Sequence, residues 1–105
     1  MPAATRINDT ETGVCNLGLS GDPQTRNGTN STGSNDVFIN GVAAHRVDDT
    51  GPCNCPHSGT FKSSSGSLTV LINGKAATRI GDTTTCEKCN QSGSHVSGSS
   101  NVFIG

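Results

Sequence analysis

The sequence predicts an all-β fold: a small domain of three β-hairpins related by approximate three-fold symmetry, with little helix. Three observations predict it. The stretch Val70-Leu-Ile-Asn-Gly-Lys-Ala-Ala-Thr-Arg-Ile-Gly-Asp-Thr-Thr-Thr-Cys86 returns with small changes at 37–53. Its second half opens the chain at 2–10 and its first half closes it at 102–105, so the chain is three units in circular order. Finally, no stretch sustains the 3.6-residue apolar period of a helix.

The bulk composition sets what such a fold has to overcome. With 105 residues the chain reads as one domain, 1–105. It has 14 Gly, 3 Phe, no Trp, no Tyr and 30% hydrophobic residues. Each buried large side chain contributes roughly 1.5–3 kcal/mol, against roughly 1–2 kcal/mol of backbone entropy for every residue ordered. A core this poor needs help from a disulfide, a metal or a partner subunit. The formal charge is −1 and the charges are scattered. The absence of a basic patch and of stacking aromatics argues against nucleic acid as a partner. There is no charged leader followed by an apolar run, and no apolar stretch near the roughly 18 residues of a membrane span. The expectation is a chain made in the cytoplasm without a signal peptide.

Taken in order, residues 2–13 carry the first half-unit and a polar turn leading to Cys15. Residues 16–36 are rich in Gly, Asn, Ser and Thr and read as a long polar loop inserted into the domain. Val37-Phe-Ile39 is a short β-branched and aromatic strand closed by Asn40-Gly41, the pair preferred in type I′ hairpin turns. Val70-Leu-Ile72 with Asn73-Gly74 repeats it. Each unit is thus a strand, an Asn-Gly turn and a second strand through Ala-Ala-x-Arg, with an Asp (Asp9, Asp49, Asp82) starting a further turn. Residues 54–69 and 87–101 read as Ser/Gly-rich connectors. The three hairpins are expected to bury Val, Ile and Ala along a tapering axis. Arg6, Arg46 and Arg79 either pair with Asp9, Asp49 and Asp82 or stand as solvated charges.

The five cysteines and His57 fall on a common ruler counted from each unit's Asp. Cys15 follows Asp9 by six residues. Cys53, Cys55 and His57 follow Asp49 by four, six and eight, and Cys86, Cys89 and His95 follow Asp82 by four, seven and thirteen. All three units therefore send sulfur from the same side of the hairpin. An odd cysteine count without an export signal favours a metal over a disulfide framework. Thiolate and imidazole are zinc's ligands in closed structural sites; iron also accepts sulfur-rich ligation. Cys89 and His95 compete for a place or stand as spare residues. His45 takes the place of Thr5 and Thr78 in the repeat and reads as a structural residue. A Cys/His pair could also serve catalysis, but no nucleophile elbow or acid/base carboxylate pair accompanies it, so no enzyme is expected.

Pro2-Ala-Ala-Thr-Arg6, Val42-Ala-Ala-His-Arg46 and Lys75-Ala-Ala-Thr-Arg79 together resemble the PAAR-repeat family, as do Gly81-Asp82, Cys55-Pro-His57 and 99–105. The resemblance covers the chain outside 16–36. It implies a conical, non-enzymatic tip that caps and sharpens the trimeric β-helical spike of a contractile injection machine, either type VI secretion or a phage tail. One copy would sit on each trimer, with an effector as a further passenger, delivered outward with transient target-membrane contact or carried in a virion tail. A metal, usually zinc, would be held near the point. By the resemblance, Cys15 takes the first unit's ligand position, Cys53 and His57 the second's two, and Cys86 the third's, with Cys55 and Cys89 as substitutes. This set is richer in sulfur than the family's His-rich pattern. The other reading is a free-standing metal-binding module or effector adaptor.

Overall fold

The structure is a computed structural model that describes residues 1–16, 18, 23–54 and 59–105. Among them there is no helix. The strands are β1 (Thr10–Cys15), β2 (Gln24–Thr29), β3 (Phe38–Ile39), β4 (Val42–Ala43), β5 (Thr50–Pro52), β6 (Thr60–Ser63), β7 (Leu71–Ile72), β8 (Lys75–Ala76), β9 (Thr83–Cys86) and β10 (Ser92–His95). They form the hairpins β3–β4 and β7–β8 and one six-stranded sheet in the order β2-β1-β10-β9-β6-β5.

The hairpins turn as their sequence requires. Asn40 and Gly41 have φ of 55° and 77°, Asn73 and Gly74 of 55° and 80°, the two consecutive positive values that define a type I′ turn. The two ends of the chain make the third hairpin: Ala3 bridges Phe103, and the Ile104 N–H donates to the Pro2 carbonyl at 2.9 Å. Three further bridges, Ala4 to Arg79, Arg6 to Ala44 and Arg46 to Ala77, tie the hairpins into a ring. Around the axis the Thr5 N–H donates to Thr78 O (3.1 Å), Thr78 N–H to His45 O (3.3 Å) and His45 N–H to Thr5 O (3.2 Å). Inside that ring lies the apolar core, with Ile39, Ile72 and Ile104 at equivalent places and Ala4, Ala44 and Ala77 at the next.

Each Ala-Ala-x-Arg strand then enters a turn. The N–H groups of Asp9, Asp49 and Asp82 donate to the carbonyls of Arg6, Arg46 and Arg79 at 3.0–3.1 Å. Asn8, Asp48 and Gly81 have φ of 78°, 77° and 92° at the third position, as a type II turn demands. The aspartates close these turns rather than starting new ones. Each carboxylate accepts from its arginine's backbone N–H and from its Nε, the latter at 2.9, 2.8 and 2.8 Å. The arginines and aspartates are paired. Burial opposes the Asp49 carboxylate, but Arg46 outweighs it and holds its pKa below the ordinary value.

Beyond the turns the six-stranded sheet curls until its outer strands meet, where Gly28 in β2 bridges Cys53 just past β5. The molecule is correspondingly long and narrow, with extents of 42 × 24 × 22 Å. The 16–36 stretch, read as an inserted polar loop, contains β2, which pairs with β1 from Thr10↔Thr29 to Cys15↔Gln24. The connectors 54–69 and 87–101 likewise contain β6 and β10. Each unit has to supply a return strand to close the sheet, and apolar alternation is missing because the interior they face is mostly polar.

The expected Val/Ile/Ala interior therefore fills only the hairpin end. Along the rest of the axis, single large side chains span the interior at successive levels and glycines pave the opposite walls. A Cβ at Gly28 would sit 2.8 Å from the Phe61 ring, and one at Gly93 2.8 Å from Arg26 Nη2. Phe61 and Arg26 are fully buried.

Candidate metal centre

The strands deliver sulfur to the end of the cone opposite the hairpins. Cys15 ends β1, Cys86 ends β9, and Cys53 lies one residue beyond β5. Cys89 sits in the turn between β9 and β10, which the Asn90 N–H closes on the Cys86 carbonyl at 2.8 Å. The Sγ atoms of Cys15, Cys86 and Cys89 lie within 4.8 Å of one another, all buried. Cys53, half-buried, packs against the three. His57 and Cys55 lie outside the described residues. Of the four expected ligands the structure thus brings Cys15 and Cys86 together with Cys53 beside them, and it adds Cys89 to the group.

The donor set suits a soft or borderline metal. Thiolates at about 2.3 Å from a tetrahedral zinc stand roughly 3.8 Å apart, which the 4.8 Å envelope accommodates. Electrostatics divides the two thiols of the turn. Burial acts to raise the Cys86 pKa, but N–H groups of Cys89 and Lys88 and the neighbouring thiols of Cys89 and Cys53 outweigh it and lower it. Burial raises that of Cys89, and the adjacent Cys86 raises it further. Cys15 stands in a disulfide, so reduction has to precede its service as a thiolate ligand.

The family model of the PAAR motif matches residues 20–89 and again 65–105. The chain belongs to the PAAR-motif family. The two overlapping matches reflect the repeat itself, since either can begin on a different unit. A comparison with curated proteins gives no significant match. The PAAR motif is associated with spike-tip proteins of type VI secretion systems, a structural rather than enzymatic family.

In this PAAR protein the remaining candidates do other work. His95 is 1% exposed and lies in the interior, away from the sulfur cluster. Its Nε2 meets Ser63 Oγ at 2.8 Å, and the same hydroxyl meets His45 Nε2 at 2.7 Å. His45 Nδ1 lies 2.8 Å from the Thr32 carbonyl and must donate to it. His45 Nε2 is then an acceptor, Ser63 donates to it, and His95 Nε2–H donates to Ser63. Both imidazoles are neutral, and burial lowers both pKa values, that of His95 to about 4. Nearer the apex, Arg26 donates to Glu11 Oε1 at 2.5 Å and Thr84 Oγ1 donates to the same oxygen at 2.6 Å. All three residues are completely buried. Sequence reading missed this ion pair because Arg26 lay in the supposed loop. The signal was present: a charge at a position that alternates with Gly28 in the strand and Asn30 just past it, both buried.

Proposed function

We propose that this chain is a non-enzymatic tip that caps the trimeric β-helical spike of a contractile injection machine, of the type VI secretion or phage-tail kind, one copy per trimer. One observation carries the reading. Phe38, Leu71 and Phe103 occupy equivalent places on the three hairpins and are 59%, 64% and 51% exposed. Large apolar side chains left in water on a three-fold pattern fit a partner with three-fold symmetry, and such patches mark interaction sites. The sulfur cluster lies at the opposite, narrow end. There a metal on Cys15, Cys86 and Cys89, with Cys53 or His57 completing the set, would tie three strand ends where the axis is too thin for an apolar core. Zinc suits these ligands best and iron is the alternative. Synthesis in the cytoplasm followed by outward delivery or incorporation into a tail belongs to the same reading.

The test is co-purification with any trimeric β-helical spike protein encoded nearby. The wild type should bind at one copy per trimer. A Phe38→Ser, Leu71→Ser, Phe103→Ser triple variant should stay folded, since all three face solvent, yet lose binding at least tenfold, or about 1.4 kcal/mol. A folded triple variant that binds the spike undiminished removes the apolar ring as the docking surface.

A further inference from the structure

Sulfur occurs at two oxidation levels inside one small cluster. Cys15 is in a disulfide, whereas Cys86 and Cys89, whose sulfurs share its 4.8 Å envelope, are thiols. Cys53, also a thiol, packs against them. A metal requires thiolates, and a sulfur committed to a disulfide no longer offers the negative charge that binds it. Metal ligation and disulfide formation therefore draw on the same electrons at this end of the cone. His-rich sites do not face that competition, because imidazole is not oxidised by the agents that oxidise thiols.

We propose that the tip is a redox-controlled metal site. Reduced, it holds the metal on Cys15, Cys86 and Cys89; oxidised, with Cys15 back in its own disulfide, Cys86 and Cys89 close as a second one and the metal leaves. The proposal rests on the reading above that the cluster binds a metal. Cys86 and Cys89 are the pair that closes because they share one hydrogen-bonded turn and their sulfurs already interact. A loop this short adds little ordering to what the turn has imposed.

The oxidant is hydrogen peroxide, small enough to reach a buried thiol. The Cys86 thiolate attacks one peroxide oxygen, an S–O bond forms, the O–O bond breaks and hydroxide departs. The Cys89 thiolate then attacks the Cys86 sulfenic sulfur. The S–S bond forms, the S–O bond breaks and a second hydroxide departs. Two electrons pass from the two thiolates to the peroxide, which ends as two hydroxides that solvent protonates to water. The metal, stripped of two ligands, leaves as the divalent cation.

The experiment uses the full chain, reduced with a phosphine in the absence of oxygen, loaded with zinc and freed of excess. It reads zinc per chain and, by alkylation and mass spectrometry, which thiols remain. About one zinc per chain is expected on the reduced protein. Two equivalents of peroxide should release it together with the loss of the Cys86 and Cys89 thiols as one disulfide, beside the re-formed disulfide of Cys15, and reduction with fresh zinc should restore it. Zinc retained after those two thiols are lost overturns the switch but leaves metal binding intact. Cys86 and Cys89 thiols that survive the oxidation, with Cys15 alone returned to its disulfide, overturn the assigned pair. No zinc on the reduced protein overturns the metal reading beneath the proposal and the switch with it.

Discussion

Acid should weaken this protein in a window set by His95. The side chain is 1% exposed, and burial, followed by the neighbouring His45, lowers its pKa from 6.5 to about 4; Asp82 and Asp9 oppose the shift. The unfolded chain takes up this proton as pH falls through about 6.5, and the folded chain only near 4. Between those values the unfolded state binds more protons, so stability falls with pH by about 1.4 kcal/mol per unit. The contribution is complete above about 6.5 and gone below about 4, a total of about 3 kcal/mol. Urea denaturation of reduced, metal-loaded protein between pH 7 and pH 4.5 measures it, with His95→Gln as the reference. Glutamine can still donate to Ser63 Oγ but does not titrate, and it leaves every sulfur in place, so acid release of metal cancels in the comparison. Over that range the wild type should lose about 2–3 kcal/mol more than the variant. Equal losses would refute the assignment of a buried neutral imidazole at the axis.

Four other perturbations separate the forces along the cone. Glu11→Ala leaves the fully buried Arg26 without its counter-charge and should cost about 3–5 kcal/mol by denaturant titration; a Glu11→Met, Arg26→Leu double variant should recover most of it. Gly51→Ala would drive a Cβ into the Phe61 ring at 2.6 Å and into the Thr29 carbonyl oxygen, and should yield no folded protein by circular dichroism. Gly41→Ala meets nothing within 4 Å but must hold a φ of +77°, so it should fold and lose about 1–2 kcal/mol. Stripping metal from the reduced protein with a chelator should lower the melting temperature by more than about 10 °C, given about 4–8 °C per kcal/mol in a domain of this size. A metal-free form that melts unchanged would remove the metal as a staple.

How far the fold was legible depends on where symmetry holds. At the hairpin end all three units obey one rule. Ile39, Ile72 and Ile104 alternate with exposed Phe38, Leu71 and Phe103, and Asn-Gly sets the turn in the two continuous hairpins, so local chemistry and the global fold agree there and the sequence could be read directly. The Arg–Asp pairs belong to the same regime, repeated three times with the same spacing. Towards the apex the axis is too narrow for three equal side chains, and the units stop resembling one another. Where one contributes Phe61 the others have Gly28 and Gly93, and where one contributes Arg26 it faces Gly13. Asn30, Ser63 and His95 fill one shared position. A strand that carries glycine in one unit and a buried arginine in another shows neither a period-two pattern nor a repeat, which is why β2, β6 and β10 read as loops. Only position survived: the count from each Asp placed the sulfurs at one end. It could not rank them, because Cys89 enters from a turn at an offset that no other unit shares. The cysteines thus lie where the repeat has failed and a core is impossible. A bond between sulfurs, or a metal shared among them, is the remaining way to join three strand ends that no longer match.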